Sequence, residues 1–447
     1  MSKQDKARSQ GSIAPPFTRK ESTEAFLAKT VSGTFGFKIL NVLLVYANSL
    51  LIVRLVGASG YGEYVYTISW VQILLLPAAL GFEGLLNREL AVYITGSQWN
   101  AAKGLIKSSN LLIFFNSIFV AAIAFLILSQ TGAIQHLEHP STFWLGLFLL
   151  PVLALSRLRQ YALRALHKVL LGEVPESLVR PIGLVIILAA TLFLEIPHVN
   201  ASSIMAIEIF ATGLAFATGT VFLIKSIPKD IQQAKPKTSL STWVRQALPM
   251  LLIGGMYVIN QQTDSVMLGI LQDSQQVGIY AVVNRGSGLL GFVQLAFAAP
   301  LSAIFATLHA QGSRLELQNV VRRSCQASLI CSLLLAVTLV LFSNWFLQLF
   351  GTEFLVGKTA LIILVIAQLF NSLTGAVAML LIMTGFDGKA ALGVGISAGL
   401  NIILNAWLIP LYGIEGAAIA TGISLVMWNI LLVYFAQRCL GVRSLPI

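Results

Sequence analysis

Val258-Ile-Asn-Gln-Gln-Thr-Asp264-Ser-Val-Met-Leu-Gly-Ile-Leu-Gln-Asp-Ser-Gln-Gln-Val-Gly278-Ile-Tyr280-Ala-Val-Val-Asn-Arg285 reads as the end of one membrane-spanning helix, a tight turn near residues 272–277, and the start of the next. Asp264 precedes the middle of that turn by about ten residues, and Arg285 follows it by as many. At about 1.5 Å of rise per residue, each charge sits roughly 15 Å from the turn. The hydrocarbon core of a bilayer is about 30 Å thick, so both charges belong near its midplane. An ionisable group there costs at least about 2.5–3.5 kcal/mol and ordinarily faces a cavity or a partner. Asp264 and Arg285 are therefore expected at the centre of a transport pathway, facing an aqueous vestibule or closing the helix pair as a salt bridge.

Composition supports the membrane. The chain has 447 residues, 56% of them hydrophobic and only 11% charged, where about 25% charged is usual in soluble domains. Apolar runs of 18 or more residues recur along nearly its whole length, and each is a candidate transmembrane helix. A net charge of +11 would suggest nucleic acid in a soluble protein. Here the basic residues gather in loops on one side, as the positive-inside bias predicts, and no nucleic-acid partner is expected. Cys325, Cys331 and Cys439 are isolated, without the spacing of a disulfide framework or zinc site. The polar, basic start with Pro15-Pro16 lacks the layout of a cleavable signal and is expected to stay in the cytoplasm.

Twelve spans are predicted, at 33–56, 62–84, 107–129, 142–163, 174–195, 202–225, 246–271, 278–306, 322–345, 359–384, 390–411 and 415–437. With the start inside, the outer loops hold one lysine, Lys358, and no arginine. Of 29 basic residues, setting aside Lys358 and the four within spans (Lys38, Arg54, Arg180, Arg285) leaves 24 on the inner side, so both termini are placed in the cytoplasm. Trp144, Trp243, Trp345 and Trp407 fall at span ends, where interfacial anchors belong. The hydrophilic stretch through Lys235-Pro-Lys divides the spans six and six. The expected layout is a basic tail (1–32), a six-helix lobe (33–225), a cytoplasmic linker (226–245), a second six-helix lobe (246–437) and a short tail (438–447).

The halves look like copies. Sliding by 216 residues places Asn48-Ser49 on Asp264-Ser265, Leu55 on Leu271, Gly62 on Gly278 and Tyr64 on Tyr280 without a gap. Six spans per half make the repeat parallel, and such folds place substrate between the halves near the midplane. The fold class is thus an all-α polytopic membrane protein with a parallel internal repeat. No loop is long enough for a catalytic domain, and Walker A, G-x-S-x-G and Cys–His arrangements are missing, so no enzyme is expected.

Lys38, Asn41 and Asn48 lie within about 80° on the first span, one polar stripe on an apolar helix. Lys38 either lines the cavity with them or snorkels to the inner surface. Arg54, on the opposite side, is expected to snorkel outward. Asn260, Gln261 and Asp264 share an arc of about 100° on the seventh span. Gln294, nine residues after Arg285, points the other way unless Gly286, Gly288 and Gly291 bend the helix, and does not belong to the expected site. Glu176 and Arg180 have the favourable order for an i,i+4 ion pair, with Arg180 a secondary site candidate. Glu83, Arg88 and Glu89 are expected to form salt bridges in a loop. His136-Leu-Glu-His139 lacks a third ligand and predicts no metal site. Gly393-Val-Gly395-Ile-Ser-Ala-Gly399 lies inside an apolar span, where small residues let helices approach closely.

Arg54-Leu-Val-Gly-Ala-Ser-Gly-Tyr-Gly62-Glu-Tyr64, Leu80-Gly-Phe-Glu-Gly-Leu-Leu-Asn-Arg88, Gly278-Ile-Tyr280 with Arg285, Gly385-Phe-Asp-Gly-Lys389 and Pro410-Leu-Tyr-Gly413-Ile-Glu-Gly416-Ala-Ala-Ile-Ala-Thr421 together resemble the bacterial oligosaccharide (O-antigen-type) flippases of the polysaccharide-transporter family. That family belongs to the multidrug/oligosaccharidyl-lipid/polysaccharide exporter superfamily. The resemblance implies a V-shaped, two-lobed fold with a central cavity. It also implies movement of undecaprenyl-pyrophosphate-linked oligosaccharide from the cytoplasmic to the periplasmic leaflet of the bacterial inner membrane. Polysaccharide polymerase and glycosyltransferases are the implied protein partners. Related lipid II flippases hold pyrophosphate with basic residues on the first, second and eighth spans. Lys38 and Arg285 match the first and eighth; Ser69 stands on the second where the repeat would place a partner of Arg285. Arg285 and Lys38 are the expected phosphate ligands, with Arg180 in reserve, and Asn41, Asn48, Asn260 and Gln261 the expected sugar ligands. Asp264 is expected to exchange a proton or Na⁺, or to release Arg285 when substrate arrives. A multidrug–cation antiporter of the same superfamily is the alternative.

Overall fold

Hydrocarbon offers a backbone no hydrogen-bond partners, so apolar runs that cross it fold as helices. The computed structural model describes residues 23–131 and 139–446, and every regular element among them is helical. Residues 1–22 of the expected basic tail, and His136 with Glu138 in the outer loop, lie outside the described residues.

The first half comprises α1 (Thr23–Ala79), α2 (Phe82–Thr95), α3 (Trp99–Thr131), α4 (Pro140–Ala165), α5 (Val169–Val174), a π turn (Pro175–Val179), α6 (Arg180–Phe193) and α7 (Ala201–Ser226). After the short α8 (Lys229–Gln233), the second half comprises α9 (Leu240–Leu271), α10 (Ser274–Ala310), α11 (Arg314–Leu341), α12 (Ser343–Gln348), a 3-10 turn (Thr352–Gly357), α13 (Lys358–Leu373), α14 (Val377–Met383) and α15 (Asp387–Leu440).

α1 holds two spans. Gly57, at φ +69°, breaks its helical backbone, and Tyr46 and Tyr61 on either side both reach Arg285, so the chain doubles back there. α15 does the same at Gly413, φ +55°, where Gly416 packs against the carbonyl of Leu408. With α5–π–α6 and α13–α14 as broken spans, the described residues make 12 passes, six before the polar linker and six after it.

Two departures from the expected spans have local causes. The second span stops at Leu80–Gly81, both at positive φ, and Asn116 donates to the last carbonyls, Pro77 at 2.7 Å and Ala78 at 2.8 Å. The chain then forms α2, so Glu83, Arg88 and Glu89 stand on a helix and not in a loop. Arg88 pairs with Glu89 at 2.9 Å, and Arg157 approaches Glu83 at 4.0 Å. The fifth span passes through a π turn just before Pro181, which has no N–H for the Ser177 carbonyl four residues back. Asn41 of α1 donates to that carbonyl instead, at 2.8 Å.

The packing explains the V. At the end bearing the Gly57 and 272–273 turns, one apolar core joins both halves, including Ile52 and Tyr61 with Tyr280, Val283 and Leu361. Toward the linker end the core divides. One part holds Leu86, Leu105, Leu150 and Leu163, and the other Phe305, Val321, Leu380 and Leu432. Trp243 is a correction to the expected anchors. It is 1% exposed, packed in the first-half core, and donates to the Tyr93 hydroxyl at 3.0 Å. Trp345 and Trp407 are exposed, as are Phe115, Phe119, Phe193 and Phe210, an apolar outer surface suited to lipid.

Candidate functional site

Asp264 and Arg285 do not pair. Among the described residues no ion pair joins them, and each turns to a different neighbour. Helical rise speaks only to depth, and adjacent helices place equal-depth side chains in whatever direction their faces dictate.

Arg285 leans into the first half. Its Nε donates to the Tyr61 hydroxyl at 2.9 Å, while the Tyr46 hydroxyl donates to its carbonyl. It lines a cavity of about 400 Å³ between the lobes, together with Asn41, Asn48, Ser69, Gln261 and Asn284. Arg180 and Glu208 border the same space. The expected i,i+4 bond is present, with Arg180 Nη1 to Glu176 at 3.3 Å. Glu208 adds a second carboxylate, taking the Arg180 Nε proton at 2.7 Å and a Tyr64 hydroxyl proton at 3.2 Å. Arg180 is thus balanced by two acids, whereas no carboxylate lies within ion-pair distance of Arg285 among the described residues.

Asn41 and Asn48 face this cavity, but their donors are engaged with the fifth span. Asn48 donates to the Pro181 carbonyl at 3.1 Å, leaving its Oδ1 buried without a partner. Lys38 is half-buried three residues before Asn41 and is absent from the linings of the three cavities described here. Arg54 is exposed.

Asp264 turns the other way, into the second half. Its Oδ2 accepts from Tyr280 at 2.6 Å and from Thr421. Its Oδ1 accepts from Asn405 at 2.8 Å and Asn401 at 3.2 Å. One carboxylate therefore ties α9 to α10 and to both arms of α15. It borders a second cavity of about 550 Å³ with Asn260, Gln261 and Asn284. Gln294 lines this cavity too, against its expected exclusion, next to Asn371, which donates to its Oε1 at 2.7 Å. Gln261 and Asn284 border both chambers. A third space of about 660 Å³ opens nearer the linker end, between Gln72, Glu83 and Arg157 on one side and Met250, Tyr257 and Asp387 on the other.

Several residues of the site were not anticipated. Glu208 carried a signal, since a lone carboxylate inside an apolar span is a functional candidate by itself. Asn401 and Asn405, one turn apart, carried a weaker one. Tyr46, Tyr61 and Tyr64 carried none, because tyrosine is unremarked in an apolar helix until its hydroxyl finds a partner.

The helices and the chambers define a two-lobed, 12-span all-α membrane-protein architecture. Residues 249–407 match the MatE family model. Along 424 residues the chain is 22% identical to the probable low-salt glycan biosynthesis flippase Agl15 of Haloferax volcanii, covering 93% of this chain and 85% of that one. It is 28% identical over 187 residues to the probable flippase AglR of the same organism, covering 41% of this chain and 39% of that one. Among solved structures it superposes on the inward-facing conformation of a multidrug resistance MATE family transporter of the MOP superfamily. That match has a TM-score of 0.75 at 12% identity, over 90% of this chain and 94% of the other. The lipid II flippase MurJ in an inward closed conformation gives 0.69 at 16% identity, over 90% and 86%.

Proposed function

We propose that the chain flips a polyprenyl-pyrophosphate-linked oligosaccharide across the membrane by alternating access, with undecaprenyl as the carrier that the bacterial resemblance implies. One observation carries the proposal: Arg285 faces the inter-lobe cavity with no carboxylate at ion-pair distance among the described residues. A buried cation wants an anion, and pyrophosphate supplies one at the joint between lipid and glycan. The surrounding carboxamides suit sugar hydroxyls, since each amide both donates and accepts. The lipid tail stays in the bilayer while the headgroup crosses. The similarity to a probable glycan biosynthesis flippase over most of both chains agrees with this substrate class.

Lys38 joins as a second phosphate ligand only if α1 moves, because it is absent from the lining of the cavity that holds Arg285. The headgroup enters from the linker end, the cytoplasmic side by the basic-residue bias, and leaves in the periplasmic leaflet. Asp264 couples the movement: protonation or Na⁺ binding there would change the acceptor that holds α9, α10 and α15 together. The Asp264 cluster also favours a second reading, a cation-coupled multidrug antiporter, in which an apolar cation replaces the glycolipid.

The test compares wild type with Arg285→Ala in the host at matched protein levels, reading surface polysaccharide. Loss of export with accumulation of the lipid-linked precursor is expected. Undiminished export removes Arg285 from the mechanism.

A further inference from the structure

The second-half cavity has a chemistry distinct from that around Arg285. Its lining contains no lysine or arginine, and its one carboxylate, Asp264, is already engaged by four donors. The rest of its polar surface is mainly carboxamide. Thr374 donates to Asn429 at 2.6 Å, Asn429 to Asn371 at 3.0 Å, and Asn371 to Gln294 at 2.7 Å. This relay fixes the orientation of each amide, and it ends at Gln294 Nε2, which is buried and has no partner among the described residues. Trp428, whose side chain borders both this chamber and the third space, holds a second buried donor, Nε1, without a partner among the described residues. A buried N–H left unpaired costs about 1–3 kcal/mol, so two in one chamber point to an acceptor that arrives from outside.

We infer that this chamber is a subsite for the uncharged sugars of the transported headgroup, with Gln294 and Trp428 as donors to glycan oxygens and the Trp428 ring as an apolar wall. This deepens the flippase reading and rests on it. Gln261 and Asn284 border both chambers, so a headgroup anchored by phosphate at Arg285 extends its glycan past them into the amide chamber. A volume of about 550 Å³ falls within the range of pockets that enclose small ligands. Neutral amides and an indole recognise hydroxyl-rich molecules without demanding charge, which separates this chamber from the phosphate end.

The experiment titrates purified full-length protein in detergent with two probes: neutral oligosaccharides released by mild acid from the host's own lipid-linked pool, and inorganic pyrophosphate. Saturable oligosaccharide binding by the wild type is expected, weakened at least tenfold by Gln294→Leu and by Trp428→Phe, which keeps the aromatic wall and removes the N–H. Arg285→Met should leave oligosaccharide binding within about twofold and weaken pyrophosphate binding. Thermal melting of each variant within a few degrees of wild type confirms folding, and Asn429→Leu serves as a replacement if one misfolds. No saturable oligosaccharide binding, or binding indifferent to these substitutions, overturns the subsite. Pyrophosphate binding unchanged by Arg285→Met would count against the phosphate role of Arg285 and leave the subsite standing.

Discussion

Gly62 and Gly278 pack across the joint between the lobes as reciprocal partners. A β-carbon on Gly62 would overlap the carbonyl of Ser274, and one on Gly278 would overlap the carbonyl of Ala58. Ser274 follows Ala58 by 216 residues, as Gly278 follows Gly62, so the two contacts are copies related by the internal repeat. The closed turn end thus depends on two positions where only a hydrogen fits.

Gly62→Val should therefore hold the turn end apart. Transport is expected to fall at least tenfold, and a cysteine placed at Ser274 should react faster with a membrane-impermeant maleimide than in the unsubstituted background. Wild-type labelling and transport would mean that the lobes do not need this contact.

Asp264 accepts four hydrogen bonds at once, so its replacements should separate stability from coupling. Asp264→Ala leaves four buried donors short of an acceptor, at about 1–3 kcal/mol for each that finds no other partner, and should lower the melting temperature in detergent. Asp264→Asn keeps an acceptor oxygen but removes the ionisable group. In vesicles it is expected to abolish stimulation by a proton or Na⁺ gradient; stimulation equal to wild type would exclude Asp264 as the coupling group.

Arg180 and Glu208 should show strong coupling in a double-mutant cycle. Arg180→Met strands Glu208, whose side chain is fully buried, and removing one partner of a buried pair typically costs about 3–5 kcal/mol. Arg180→Met combined with Glu208→Leu should recover much of that loss in melting experiments. Additive losses would show that the pair is not energetically linked.

Asn41 faces the cavity but supports the fifth span, so Asn41→Leu should lower stability by about 1–3 kcal/mol, the cost of leaving the Ser177 carbonyl unpaired. Its effect on which glycan is exported should be small. A changed glycan preference at unchanged stability would restore Asn41 to substrate recognition.

The spans were legible in the sequence because hydropathy and turn chemistry report burial in lipid directly. Arg285, Asn41, Asn48 and Gln261 were also found together in one cavity, because polar groups at mid-membrane depth must share a polar space. What the sequence did not carry was lateral direction. Arg285 faces Tyr61 and Asp264 faces Asn405, and both choices arise from contacts more than 100 positions away in the chain. Gln294 points away from Arg285, as its spacing implies, and its place beside Asp264's cavity depends on Asn371 of a distant span. Trp243 was misread because a tryptophan at a span end looks alike whether it meets headgroups or a neighbouring helix. The linker beside it packs on the first lobe, with the Lys237 N–H bonded to the Asn100 carbonyl at 2.9 Å.

The most direct measurement reconstitutes the purified chain in vesicles carrying fluorescently tagged, pyrophosphate-linked oligosaccharide lipid from the host, and follows leaflet exchange by quencher access. Wild type should accelerate exchange over protein-free vesicles, with Arg285→Met reducing the rate at least tenfold at equal protein density. Exchange as fast with Arg285→Met as with wild type would contradict the proposed role of Arg285 as the phosphate-holding cation.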